Sequence, residues 1–263
     1  MKGSLANSVC FMNNVYVYSG NFDDLLDLVF FLITTKRKPF DIVREQDVEI
    51  RLLEERIRPI YQEMNTKKKW DKIVGRENTF LCQMAFRSTY THKELAIYYY
   101  LLNALKYREH TKDMRRLKCV NKILELAHYV RHETHKMKGF LRFKEMKNQW
   151  LYAEMEPEND ILELLVPHFK KRLAEEYWVI KDVKRGLFAF YDRKNVRIFS
   201  DNEVRQLDIL EDETEKQIEK LWQTFFRTIA ISERKNLRCQ QNFMPKKYWK
   251  YLIEMEDTNE EST

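Results

Sequence analysis

Five glycines and five prolines are all that punctuate a chain of 263 residues. These are the residues that break helices and shape tight turns. Their scarcity leaves long uninterrupted stretches suited to regular secondary structure, helix above all. It also excludes a glycine-rich phosphate loop. No G-x-S-x-G elbow is present, and no C-x-x-C with an upstream H-x-E marks a zinc deaminase. Apolar residues make up 44% of the chain and charged residues 33%, which describes an ordinary core under a heavily charged shell. The length suits one large domain or two modest ones.

The longest apolar run, Leu25–Ile33, is broken by Asp27 and is too short to span a bilayer, so it reads as a buried helix. The N-terminus lacks the basic, apolar and small-residue sequence of a signal peptide, so the expected location is the cytoplasm. Cys10, Cys82, Cys119 and Cys239 lie far apart, without a C-x-x-C pair, and are expected to stay reduced and metal-free.

Residue patterning predicts a first strand at Val15–Tyr18, then Asn21 as N-cap of a helix with Asp24 three residues on. Helices are expected over Asp47–Met64, disturbed at Pro59, and over Thr79–Thr89, Lys93–Lys106 and Lys112–Lys138. After Gly139 the pattern alternates. A hairpin is expected from Phe140–Glu145 and Trp150–Glu154 over 147–149, followed by a helix at Ile161–Arg172. Three short strands follow at Tyr177–Lys181, Leu187–Tyr191 and Val196–Phe199. Helices return at Glu213–Thr228, from Ser232, and at Pro245–Glu254. The expected class is α+β: a helical N-terminal half (1–138), a central antiparallel sheet with a packed helix (139–200), a helical C-terminus (201–256) and a disordered tail (257–263). One compact domain overall is the alternative.

Net charge is +6, but its distribution says more. Lys106–Lys147 holds thirteen Lys/Arg against five Asp/Glu, and Arg227–Lys250 holds seven against one. Asp201–Lys220 holds eight acids against three bases. Such segregation produces local positive fields that attract polyanions, although a single charge run is usually a solvated helix face. The second tract interleaves its cations with Phe243, Tyr248 and Trp249. Cations neutralise phosphates and rings stack on bases, so a nucleic-acid surface is expected. Met244 and Trp249 fit better as anchors of the terminal segment.

The densest reactive cluster runs from Arg131 to Phe143. His128, His132 and His135 share a helical face and could hold zinc or iron. They lack the H-E-x-x-H spacing, and a charged helix end is the plainer reading, so no metal is expected. Arg131, His135 and Arg142 can donate to phosphate. The expected nucleic-acid-binding residues are Arg131, His135, Lys136, Arg142, Arg234, Arg238, Lys246, Lys247 and Tyr248. Glu133 and His135 are the candidates for catalysis, but their spacing does not favour a direct acid–base pair. The acids Glu154, Glu156, Glu158 and Asp160 read as a solvated turn.

Several stretches together resemble the bacterial DNA metabolism proteins that form a family of unknown function. They are Tyr18–Leu26, Val130–Phe143, Tyr152–Asp160, Pro167–Phe169, Trp178–Gly186, and Ile231–Arg234 running into Met244–Trp249. The resemblance spans nearly the whole chain. Its central motif corresponds to Arg131, Glu133, His135, Lys136, Phe140, Arg142 and Phe143, and its terminal motif to Met244 through Trp249. His128 and His132 fall outside it. The family also occurs fused to uracil-DNA-glycosylase-like domains, and in stand-alone form beside a DNA-repair radical-SAM protein. The resemblance therefore implies a DNA-binding or DNA-processing accessory protein with DNA and that radical-SAM protein as partners. This chain lacks C-x-x-x-C-x-x-C and would not carry the cluster itself, and no cofactor of its own is expected. Two alternatives stand beside this: a nuclease or lesion-acting enzyme centred on Arg131, Glu133, His135 and Arg142, and a protein-interaction scaffold. The family transfers no catalytic residues.

Overall fold

The structure, a computed structural model, describes residues 13–47, 54–60, 66–146, 150–201 and 237–252. It is a mixed α+β fold in two compact units, Met1–Arg131 and His132–Thr263.

The first unit is built around a three-stranded sheet. Strand β1 (Asn13–Tyr18) lies between β2 (Asp41–Arg44) and β3 (Glu54–Ile57), and both pairings are parallel. Val15, Tyr16, Val17 and Tyr18 are all buried, as a central strand covered on both faces requires. Helix α1 (Phe22–Thr34) follows at once. The Asn21 side chain accepts from the Asp24 N–H at 2.7 Å, and the Asp24 carboxylate accepts from the Ser19 N–H at 2.6 Å. The first bond satisfies a donor that a helix start otherwise leaves open, and the second ties the preceding turn to the helix. Leu25, Leu26, Leu28, Val29 and Leu32 form the buried stripe of α1.

Helices α2 (Thr66–Val74), α3 (Arg76–Phe86) and α4 (Lys93–Tyr107) complete this body, with a short 3-10 turn at Arg108–Asp113. Trp70 donates to the Leu26 carbonyl, and the Tyr18 hydroxyl donates to Glu94 at 2.9 Å. Arg44 joins that pair from the end of β2. The unit division falls within helix α5 (Lys118–Phe140), between Arg131 and His132.

The expected helix over Asp47–Met64 is corrected here. Residues 54–57 are a strand, held by pairing with Asn13–Tyr16. Glu54, Glu55 and Arg56 carry little strand propensity, but charged residues suit an edge strand, and the backbone ladder overrides propensity. Residues 48–53 and 61–64 of that expectation lie outside the described residues. The start of the long helix also moves, from Lys112 to Lys118.

The second unit carries a five-stranded sheet in the order β4-β5-β6-β7-β8: Lys144–Glu145, Leu151–Met155, Tyr177–Asp182, Leu187–Asp192 and Val196–Ser200. The three later strands fall where alternation placed them. One junction departs from an all-antiparallel sheet, because β5 and β6 run parallel, joined through helix α6 (Leu162–Arg172). A helical crossover returns the chain to its starting edge, so the strands it joins run the same way. Trp178, Ile180 and Tyr191 lie buried on one face, where the Tyr191 hydroxyl donates to the Ala174 carbonyl just beyond α6. Phe140 belongs to α5 rather than to the first hairpin strand, and the turn at 147–149 lies outside the described residues.

The C-terminal segment contributes α7 (Leu237–Phe243) and a 3-10 turn at Lys246–Tyr251. Pro245 lacks an N–H and stands immediately before that turn. Trp249 and Leu252 are buried together, packed by Phe140 and Met244, and the Trp249 indole donates to the Met244 carbonyl at 2.9 Å. Trp249 and Met244 thus anchor the segment, as their side chains suggested. The helix expected over Glu213–Thr228 and the tail at 257–263 lie outside the described residues. Among the described residues, no helix is long and apolar enough to cross a membrane.

Candidate nucleic-acid interface

The turn Glu156-Pro157-Glu158-Asn159-Asp160 links β5 to α6 and gathers side chains from three other parts of the second unit. Beneath it sits Glu133, on the last turns of α5. Its Oε1 accepts from the Glu158 N–H at 2.9 Å and the Tyr248 hydroxyl at 2.5 Å. Its Oε2 accepts from the Asn159 N–H at 2.8 Å and the Asn159 amide at 2.7 Å. A carboxylate offers about four lone-pair positions, so this one is fully engaged within the protein. Burial pushes its pKa up, but the Tyr248 hydroxyl and the donors of Asn159 and Glu158 outweigh that and hold it below the ordinary carboxylate range. Tyr248 is shifted the other way, upward, by burial and by the Glu133 charge its hydroxyl serves.

The outer side of the turn is ionic. Glu158 takes Lys184 at 2.9 Å and Lys247 at 3.0 Å, and these two hydrogen-bonded ammonium groups bring its pKa down to about 2. Lys247 also lies 3.8 Å from Glu133. Glu156 pairs with Lys250 and accepts from the Tyr251 hydroxyl, and both hold its pKa low. From the β6–β7 turn, Arg185 donates to the carbonyls of Pro157 and Glu158 and to the Asp182 carboxylate. Burial raises the pKa of Asp182, and Arg185 offsets that only in part.

Gly186 makes that second turn possible. Its φ is +60°, and a Cβ there would come within 2.5 Å of an Asp201 carboxylate oxygen. Only glycine meets both conditions without strain.

Together these elements line an open groove of 370 Å³ walled by Glu156, Glu158, Lys184, Lys246, Lys247 and Lys250. Four ammonium groups against two carboxylates leave an excess of two positive charges, all at exposed or half-exposed positions. Such an arrangement can hold an anion by charge and by N–H donation, with ammonium groups acting as point charges.

The expected site residues divide clearly. Glu133, Lys247 and Tyr248 come together at the turn, and Lys246 stands beside them with its ammonium 5.8 Å from the Trp249 ring centroid. His135 is exposed whereas Glu133 is buried, as two positions apart on a helix dictate. Lys136 is half-buried, and Arg131 is exposed at the end of the first unit. Arg142 donates to the Gly139 carbonyl at 2.7 Å and so caps the end of α5. Arg238 is exposed on α7, and Arg234 lies outside the described residues. With its acceptor positions filled, Glu133 suits positioning rather than proton transfer. Among the described residues, no group of three His, Cys, Asp or Glu side chains could hold a metal ion.

Sequence reasoning missed Lys184, Arg185, Lys250, Glu156, Glu158 and Asn159. The acids, taken locally, suit a solvated turn. Their partners across the site are 25 to 95 residues away in sequence, a distance at which no local pattern signals a pairing.

A family model, a domain of unknown function termed DUF4130, matches residues 91–254. The chain belongs to this family. The matched span takes in the acidic turn, the end of α5, the β6–β7 turn and the Lys246–Tyr251 segment. The groove is therefore made wholly of family-domain residues, whereas β1 through α3 precede the match. Neither a curated protein nor a solved structure matches the chain.

Proposed function

We propose that the protein is a DNA-binding accessory factor of DNA repair or metabolism, acting through its second unit. The observation that carries this reading is the lysine-lined groove. Lys184, Lys246, Lys247 and Lys250 come from two distant segments and converge on one turn, with more positive charge than its carboxylates neutralise. A phosphate backbone is the ligand class whose binding such a surface favours, by displacing condensed counterions. The resemblance to DNA metabolism proteins supports the same reading and supplies the partner. The chemistry would belong to a radical-SAM DNA-repair protein encoded alongside, and this chain would hold or present the DNA.

The test is fluorescence anisotropy of labelled DNA with the purified protein, starting at low ionic strength. Binding that weakens steeply and linearly in log–log form as salt rises is the expected result. Absence of binding at low salt would remove the reading. For the partner, co-purification with the radical-SAM protein from nuclease-treated lysate is expected, since a link made only by shared DNA would not survive the nuclease.

A further inference from the structure

The face of the five-stranded sheet opposite α6 is paved with partly exposed rings. Trp150, just before β5, stacks on Tyr177 of β6 at 5.9 Å between centroids and an interplanar angle of 19°. It also meets Phe190 of β7 at 5.2 Å. Phe190 pairs with Val179, while Trp178 pairs with Tyr191 on the buried side. Because side chains alternate across a strand, Tyr177 and Phe190 share the face turned away from α6. None of the three rings is fully buried.

Cations are interleaved with them. Arg197 of β8 stands opposite Phe190 in the ladder and is exposed. Arg193 lies over the Tyr177 ring at 4.4 Å, and the Lys181 ammonium lies 5.2 Å from the Phe188 ring centroid. The acids on this face are committed locally. Asp192 accepts from the N–H groups of Lys194 and Asn195, and Glu154 accepts from the Tyr152 hydroxyl. The face ends at the lysine groove, since Glu154 on β5 is followed two residues later by Glu156.

We propose that this sheet face binds single-stranded nucleic acid, with bases stacked on Trp150, Tyr177 and Phe190 and phosphates held by Arg193, Arg197 and the adjoining lysine groove. Stacking on rings needs unpaired bases, because a duplex hides their faces, whereas phosphate contacts alone tolerate either form. Alternation of rings with arginine and lysine across one face is what separates this surface from an ordinary apolar patch, which would attract a protein and would not need the cations. The proposal rests on the nucleic-acid reading above and makes it specific.

The test uses the full chain with fluorescent single-stranded DNA, single-stranded RNA of the same sequence, and the corresponding DNA duplex. Single strands should bind on the order of tenfold or more tightly than duplex, and the DNA and RNA arms report which the protein takes. Binding should quench tryptophan fluorescence. Trp150→Phe keeps a ring, so it should retain affinity and lose much of that quenching. Tyr177→Leu and Phe190→Leu keep apolar bulk but lose the ring, and each should weaken single-strand binding on the order of tenfold while leaving duplex binding unchanged. Equal affinity for duplex and single strand, or ring variants that bind like the parent, would overturn the sheet-face proposal while leaving the groove reading intact. No binding to any of the three would remove both.

Discussion

Glu133 gathers the second unit at the level of a single side chain. Its carboxylate joins the end of α5 to the backbone of the 156–160 turn and to the terminal segment through Tyr248. Glu133→Gln replaces two of the four acceptor positions with donors that face a backbone N–H, of Glu158 or of Asn159, whichever way the amide turns. It should destabilise the protein by about 3 kcal/mol, and Tyr248→Phe by about 1–2 kcal/mol. Urea denaturation of both variants and of the pair should return less than the sum, because they share one hydrogen bond. Acid should act on the same network. Glu133 and Glu158 both have folded pKa values below the ordinary 4.5, with Glu158 near 2. A depressed carboxylate stabilises the fold above its unfolded pKa and loses that contribution as pH falls through the folded value. Stability should therefore decline below about pH 4.5 and keep falling to about pH 2, with a shallower decline in Glu158→Gln. An identical acid profile in parent and variant would show that the Glu158 pairing with Lys184 and Lys247 contributes nothing.

Elements explain which parts of the fold could be read in advance. Where a segment carries its own instructions, expectation and structure agree. Asn21 and Asp24 cap α1 as their spacing implies, and β6, β7 and β8 follow the alternation of Tyr177–Lys181, Leu187–Tyr191 and Val196–Phe199. Where an element exists only because another strand pairs with it, the local signal was absent. Glu54–Ile57 is charged enough to suit a helix and becomes β3 by docking on β1. The parallel β5–β6 junction likewise depends on where α6 returns the chain. The β6–β7 turn gives a sharp prediction. Gly186→Ala meets an unfavourable φ and the Asp201 carboxylate together, so it should cost at least about 1 kcal/mol. It should also weaken DNA binding by displacing Lys184 and Arg185, whereas a variant that binds DNA normally would show the turn to be only a link.

At the scale of the whole molecule, net charge says little and its placement says more. The basic tract at the C-terminus includes Lys246, Lys247 and Tyr248, which the fold brings to the 156–160 turn. The basic tracts could not reveal that Lys184 joins them, because it lies outside both, 62 residues before Lys246. Nor could they show that Arg142 spends its guanidinium on a helix cap. The groove is a property of tertiary convergence, written in three stretches that meet only when folded. All four of its lysines are exposed; Lys184 pairs with Glu158, and the Lys246 ammonium lies near the Trp249 ring. Removing both charges should leave the fold intact. The most direct measurement is the slope of log affinity for DNA against log salt concentration, for the parent and for the double variant Lys184→Gln/Lys246→Gln, with circular dichroism as the fold control. Each phosphate contact contributes nearly one unit of slope, so the double variant should be shallower by about 2. An unchanged slope in a correctly folded double variant would contradict the account.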